Sequence, residues 1–90
     1  MTARALAEAA LRRVRAQEPA LNAYITLTDD EALAQAAAAD ARLRAGSGGP
    51  LTGVPIAIKD LLSTRGTETT AASRMLRGFV PIVDCTVVAK

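Results

Sequence analysis

Residues 50–60 read PLTGVPIAIKD, and this stretch says most about the fold. Apolar side chains recur at every second position from Val54 to Ile58, which is the period of a β-strand, because strand side chains alternate between the two faces of a sheet. Pro55 lacks an N–H and confines such a strand to its start or to a sheet edge. The pattern predicts a strand that ends at Lys59.

Lys59 is the candidate catalytic residue of this stretch. Folds of the α/β class often place ligands and catalytic groups at the C-terminal ends of strands. A lysine held away from bulk water has a lowered pKa because desolvation penalises its charged form. To act as a base at pH 7, the lysine needs its neutral form favoured over its charged form by roughly 4 kcal/mol more than in water. Spacing alone favours an alternative, in which Lys59 forms an ion pair with Asp60 at the edge of the sheet.

The first part of the chain predicts a helix and then an extended segment. Thr2 is placed to cap a helix that runs to about Gln17, where Pro19 is expected to stop it. Apolar side chains alternate from Leu21 to Thr28, which predicts a short strand or extended segment.

A second helix is the most clearly marked element. Thr28 and Glu31 fit a capping box, in which each side chain bonds the other's backbone N–H. The alanine-rich helix that they open is expected over residues 32–45, and Gly46 supplies its C-terminal stop. The GSGGP link at residues 46–50 is predicted to be a plain loop, because no Gly-Lys-Ser/Thr follows to make a phosphate-binding site.

The segment after the lysine predicts little regular structure. Residues 61–70 are polar and are expected to form a loop, followed by a short helix over residues 71–76. Asp84 is predicted to cap a last helix that includes residues 87–88. Cys85, at the start of that helix, is expected to pack rather than to act as a reactive thiol.

Composition excludes several classes of site. The chain has no histidine and a single cysteine, which excludes internal disulfides, Cys/His metal sites, Ser-His-Asp triads and Cys-His dyads. Its net charge is +2, and the densest basic run, residues 12–15, lies between Glu8 and Glu18 without aromatic neighbours, as on a solvated helix face. No apolar run approaches a membrane span and no signal peptide is present, so a cytoplasmic protein is expected.

Residues 50–60 closely resemble the segment that carries the catalytic lysine in the amidase-signature family. The core GVPIAIKD is highly specific to that family, and the resemblance covers nearly the whole chain. The other matching segments are residues 21–26, 64–66, 69–70, 72–74, 79–81 and 84–88.

The resemblance implies an α/β fold in which helices cover a mixed, twisted sheet. Residues 1–90 are then expected to be the N-terminal fragment of a single, truncated domain. Residues 1–49 would form its helical region and linker, and residues 50–90 would supply an early strand, which carries the catalytic lysine, with the loop and helix that follow.

For the mechanism, the resemblance implies a Ser-Ser-Lys triad. Lys59 would accept a proton through a bridging serine held in a cis peptide, while a second serine attacks an amide carbonyl and forms an acyl-enzyme that water hydrolyses. Ser47, Ser63 and Ser73 do not match the family's two serines, so Lys59 is the one catalytic residue carried over and the chain alone is expected to be inactive. Asp60 is expected to order the turn after the lysine.

Within the family, residues 75–88 look most like the ammonia-producing subunits of tRNA-dependent amidotransferases. That likeness implies glutamine as the small amide substrate, other amidotransferase subunits as partners, and tRNA bound indirectly through a partner. ATP and Mg²⁺ would bind the partner subunit, with no cofactor or metal in this chain and no membrane contact. A stand-alone amidase of small amides and a non-catalytic, truncated interaction module stay open as alternatives.

Overall fold

A computed structural model describes the protein from Met1 to Lys90. The chain divides into two compact units, Met1–Ile56 and Ala57–Lys90. Its regular secondary structure is entirely helical, and none of the helices combines the length and apolar character needed to cross a membrane. In chain order the elements are α1 (Ala3–Leu21), α2 (Asp29–Arg44), a short 3-10 helix (Arg74–Leu76) and α3 (Thr86–Ala89).

The predicted strand that ends at Lys59 is not formed, so the α/β fold with an early strand is not confirmed. Residues 54–59 have no regular secondary structure. A strand needs a neighbouring strand to complete its backbone hydrogen bonds, and the chain contains no strand at all. Residues 22–28, predicted to be extended, are also irregular, and Leu21 belongs to α1. The alternating apolar side chains of this segment are therefore left exposed to solvent, as Ile56 is.

The helix α1 begins as predicted and ends later than predicted. The side-chain oxygen of Thr2 accepts a hydrogen bond from the N–H of Ala5 at 3.0 Å, which caps the helix. Pro19 lies inside α1, although proline has no N–H to donate and its ring crowds the carbonyl four residues back, so the expectation that it stops the helix is wrong. The helix closes at Asn22, whose left-handed backbone (φ 52) lets its N–H donate to the carbonyl of Glu18 at 2.7 Å.

The helix α2 has the predicted cap positions at both ends, although its capping box is not formed. Thr28 is the N-cap residue, but its backbone (ψ 57) lies outside the extended region that capping side chains need, and it makes no side-chain capping bond. At the other end Gly46 is left-handed (φ 73) and ends the helix as predicted. Its N–H donates to the carbonyl of Leu43 at 3.1 Å and the N–H of Ser47 donates to that of Arg42 at 3.0 Å, which is a Schellman motif.

The two helices α1 and α2 pack as an antiparallel pair. Late in α2, the carboxylate of Asp40 accepts hydrogen bonds from the N–H groups of Ala3 at 2.7 Å and Arg4 at 3.1 Å, at the start of α1. At the opposite end of the pair, Arg15 bonds Asp29. The N–H of Ala3, and then that of Arg4, hold the pKa of Asp40 below its usual value. The second helix thus supplies an additional cap for the first.

The core between these helices is built from small side chains. Ala3, Ala7 and Ala36 are buried, and Leu33 and Ala39 pack against them half-buried. Three buried methyl groups, at ~0.8 kcal/mol each, contribute about as much transfer free energy as one buried leucine. The pair therefore depends on close backbone approach and on its caps more than on a large apolar core.

Candidate active-site lysine and the Asp60 turn

Lys59 ends the irregular segment and is exposed. Its carbonyl oxygen accepts a hydrogen bond from the N–H of Leu62 at 2.9 Å, which closes a turn over residues 59–62. The expectation of a lysine buried at a strand end is therefore wrong for this chain, because the sheet that would bury it is not formed. The chain does not itself supply the burial that a lysine base requires.

The alternative ion pair between Lys59 and Asp60 is absent as well. The carboxylate of Asp60 accepts the N–H of Thr70 at 3.0 Å, the Thr70 hydroxyl, and the N–H of Ala72 at 3.1 Å. Its backbone carbonyl accepts the N–H of Ala71 at 3.2 Å. The Thr70 hydroxyl, followed by the N–H groups of Thr70 and Ala72, holds the pKa of Asp60 below its usual value. Asp60 thus orders a turn, but it is not the turn directly after the lysine: its carboxylate holds a turn that lies ten to twelve residues further along the chain.

The turn that Asp60 holds contains strained backbone. Ala71 (φ 49) and Ala72 (φ 58) are both left-handed, a conformation that costs an L-residue roughly 1–2 kcal/mol. The predicted helix over residues 71–76 is accordingly wrong, and only the 3-10 helix at its end forms. Strained residues of this kind persist where surrounding interactions over-determine them, and they cluster at functional sites.

Thr70 is the residue of this turn whose role sequence reasoning missed. It is buried beside Thr69, in a loop where most residues are exposed or half-buried. A buried hydroxyl needs a hydrogen-bond partner, but the partner of Thr70 lies across a loop without periodic pattern, so spacing gives no signal for it.

Two further carboxylates order the same unit. Glu68 accepts the N–H of Gly78 at 2.7 Å, and Asp84 accepts the N–H of Arg65 at 2.7 Å. The prediction that Asp84 caps the last helix is therefore wrong, because its carboxylate is committed across the loop. Cys85 occupies the N-cap position of α3 without a side-chain capping bond, and the residue is half-buried.

Each of the three serines takes part in a structural hydrogen bond. The hydroxyl of Ser47 donates to a carbonyl in the last turn of α2 at 3.2 Å. Ser73 caps the 3-10 helix by accepting a backbone N–H at 3.2 Å, and the carbonyl of Ser63 accepts the N–H of Cys85 at 2.9 Å. None of these bonds involves Lys59, so these contacts assemble no Ser-Lys pair.

Comparison with known proteins identifies the family. The family model described as Amidase matches residues 5–90. The A subunit of a glutamyl-tRNA(Gln) amidotransferase from Geobacter metallireducens is 55% identical over 82 residues, which cover 91% of this chain and 17% of the relative. The corresponding protein of Synechococcus sp. strain JA-2-3B'a(2-13) is 50% identical over 90 residues, which cover 99% of this chain and 18% of the relative.

The chain thus spans less than a fifth of the length of these relatives. The matched region includes the GVPIAIKD segment and the whole of the turn that Asp60 orders. Because the family match extends over nearly all of the sequence, the chain belongs to the amidase family.

Proposed function

We propose that this chain supplies the general base, Lys59, of an amidase centre that hydrolyses glutamine and provides ammonia for tRNA-dependent amidation. The observation that carries the proposal is its similarity, at 49–56% identity, to A subunits of glutamyl-tRNA(Gln) amidotransferases. The lysine lies within the segment that resembles the family's catalytic motif, and that segment is inside the matched region.

In this proposal the chain's own contribution is the movement of a proton. The neutral amine of Lys59 accepts a proton through a bridging serine, while a nucleophilic serine forms a bond to the amide carbon of glutamine. The C–N bond breaks, ammonia leaves with a proton, and water hydrolyses the acyl ester to release glutamate and restore the serine. Neither catalytic serine corresponds to Ser47, Ser63 or Ser73. Both catalytic serines therefore lie outside residues 1–90, and the chain alone is inactive.

The exposure of Lys59 is consistent with an active site whose other catalytic residues lie outside this chain. A lysine base requires removal from bulk water, and here the segment before it carries exposed apolar side chains, among them Val54, Ile56 and Ile58. In the proposal, a mixed sheet of the α/β domain adds the neighbouring strands, covers these side chains and buries the lysine. The same association would complete the backbone hydrogen bonds of residues 54–59.

The remaining parts of the reaction are assigned to partners. The chain has no cluster of three or more side chains suited to holding a metal ion, and we propose that ATP and Mg²⁺ bind a partner subunit. Transfer RNA would reach the complex through that partner, in the cytoplasm. Arg4 and Arg15 of α1 are not assigned to it, because they form ion pairs with Glu8 and Asp29.

A chimera tests the role of Lys59. The chain replaces the residues it matches in the Geobacter metallireducens relative, which is produced with the other subunits of its amidotransferase. Lys59→Ala should lower the rate of glutamine hydrolysis by about 10²–10⁴-fold, the usual contribution of a general base. The matched control is Lys90→Ala, the other lysine of the chain, which should stay within about twofold of the parent. Full activity of a folded Lys59→Ala chimera would overturn the proposal.

The substrate is tested in the same chimera. Glutamine should be hydrolysed in preference to aliphatic and aryl amides, and ammonia release should be coupled to amidation of Glu-tRNA(Gln) when ATP is present. Preference for simple amides would support a stand-alone amidase instead. Glutamine hydrolysis by the 90-residue chain alone would contradict the inference that the serines lie outside it.

A further inference from the structure

The hydrogen bonds of the unit Ala57–Lys90 point to a role for Asp60 beyond ordering a loop. We propose that Asp60 and Thr70 are positioning residues for Lys59: together they fix the backbone from which the lysine side chain extends and keep the neighbouring carboxylate away from its amine. The inference rests on the proposed function, because it requires Lys59 to be the base.

The first step is the connection from Lys59 to a distant turn. Lys59 and Asp60 share the turn closed by the N–H of Leu62. Asp60 ties this turn to the later one by four hydrogen bonds, of which three reach its carboxylate and one reaches its carbonyl. The segment is otherwise irregular, so these bonds restrain its backbone and with it the direction in which the Lys59 side chain extends.

The second step concerns charge. A carboxylate next to an ammonium group favours the charged form of the lysine, which opposes its use as a base. Asp60 directly follows Lys59, so such a pair is the obvious local contact, yet each carboxylate oxygen accepts a backbone N–H, one from Thr70 and one from Ala72. The Thr70 hydroxyl adds a third bond to the same carboxylate. The turn therefore diverts the group that would most directly hold the lysine in its charged form.

The third step is the strain of the turn. Two consecutive left-handed alanines, Ala71 and Ala72, present their N–H groups to Asp60. This conformation costs roughly 1–2 kcal/mol for each alanine, and such strain persists only where surrounding interactions hold it in place. Here it aims three successive N–H groups, those of residues 70–72, at one residue. The backbone is thus shaped around Asp60.

Adjacent threonines provide a matched experiment. Thr69 and Thr70 are equally buried, at 6% and 7% exposure, and each side-chain hydroxyl donates one hydrogen bond. The Thr69 hydroxyl donates to the carbonyl of Thr67, and the Thr70 hydroxyl donates to Asp60. In the chimera with the Geobacter metallireducens relative, Thr70→Val should lower kcat for glutamine by about tenfold to a hundredfold, as expected when a reacting group is misplaced. KM should stay within about twofold.

The control variants separate positioning from packing. Thr69→Val should leave kcat, normalised to folded enzyme, within about twofold of the parent. Thr70→Ser keeps the hydroxyl and loses a methyl group, whereas Thr70→Val keeps the shape and loses the hydroxyl. A positioning role predicts that Thr70→Ser is the faster of the two, and a packing role predicts the reverse order. If Thr70→Val does not accumulate, Asp60→Asn is measured instead, because an amide has one acceptor oxygen for three donors.

The outcomes distinguish this inference from the proposed function. Loss of activity in Lys59→Ala, together with a slow Thr70→Val and a near-normal Thr70→Ser, supports both. Loss in Lys59→Ala with equal rates for the valine variants of Thr69 and Thr70 overturns the positioning role alone. Full activity in Lys59→Ala overturns both, because no base is then left to position.

Discussion

Gly53 lies close against the first turn of α1, in the loop after α2. Its backbone is left-handed (φ +90), and a Cβ built on it would lie 2.7 Å from the Cβ of Ala3 and 3.6 Å from Leu43 Cδ1. Ala3 is itself buried, and its N–H is held by Asp40. We predict that Gly53→Ala destabilises the unit Met1–Ile56 for two separate reasons, the backbone conformation and the contact.

The magnitude follows from these two terms. A left-handed alanine costs roughly 1–2 kcal/mol, and forcing one extra methyl group into a packed contact costs roughly 1–3 kcal/mol. The unfolded chain loses freedom when glycine becomes alanine, which offsets about 0.4–1 kcal/mol. The expected decrease in the free energy of unfolding is therefore about 1–5 kcal/mol, which is large for a helix pair whose buried core is three alanines.

Gly46 and Ala3 offer matched controls. Gly46 is also left-handed (φ +73), but a Cβ there would meet nothing within 4 Å, so Gly46→Ala should cost at most about 1.5 kcal/mol. In the double variant Ala3→Gly, Gly53→Ala, the clashing Cβ is removed, and the nearest remaining atoms are Leu43 Cδ1 at 3.6 Å and the Cα of Ala3 at 3.7 Å, which is ordinary van der Waals contact. The double variant should recover about 1–3 kcal/mol relative to the sum of the single changes.

The assay is urea unfolding of the 90-residue chain followed by far-ultraviolet circular dichroism, in a fixed concentration of trimethylamine oxide to raise the folded population. The helices α1 and α2 carry most of the signal, since they are the two long elements. Equal losses for Gly53→Ala and Gly46→Ala would refute the reasoning, as would a coupling energy near zero in the Ala3/Gly53 cycle. Either result would mean that the loop does not rest on α1.

Two further predictions concern the carboxylates and the strained turn. Hydrogen bonds lower the pKa values of Asp40 and Asp60 from 3.8. The two carboxylates therefore stabilise the folded chain fully above about pH 4, and this stabilisation is lost as the pH falls through the lowered values. The free energy of unfolding should be level from about pH 6 to pH 5 and should fall below pH 4. The double variant Asp40→Asn, Asp60→Asn should flatten that dependence, and an unchanged acid slope would contradict it. Ala72→Gly removes left-handed strain and should stabilise the chain by about 0.5–1 kcal/mol after the entropy of glycine is counted. Ala57→Gly, at a position without positive φ, should not stabilise it, and equal effects of the two glycines would show that Ala72 is not strained.

Short-range signals predicted the helical part of the chain well. The cap by Thr2 and the stop at Gly46 depend on residues within one helical turn, so the sequence is sufficient to predict them. The same rules are wrong for Pro19, which α1 continues past, and for Thr28, whose backbone lies outside the extended region that a capping side chain needs. Those exceptions depend on backbone angles that residue types do not specify.

The segment around Lys59 shows the limit of pattern reasoning. The alternation that ends at Lys59 describes how side chains would face a sheet, but a strand exists only where another strand completes its hydrogen bonds. The present chain offers none, and residues 54–59 remain irregular. The preference for an ion pair with Asp60 failed for a related reason, since proximity along the chain does not decide which donors a carboxylate meets.

The order of residues alone establishes the family, the identity of the candidate base and the lack of histidine chemistry, because these depend on which residues are present and where. The partners of Asp60, the burial of Thr70 and the exposure of Lys59 come from the folded chain. Hydrogen bonds form with whichever donors the fold brings within about 3 Å, and burial depends on neighbours that are distant in sequence. The motif thus points to Lys59 as the candidate base, while the hydrogen bonds of the adjacent Asp60 are visible only in the folded turn.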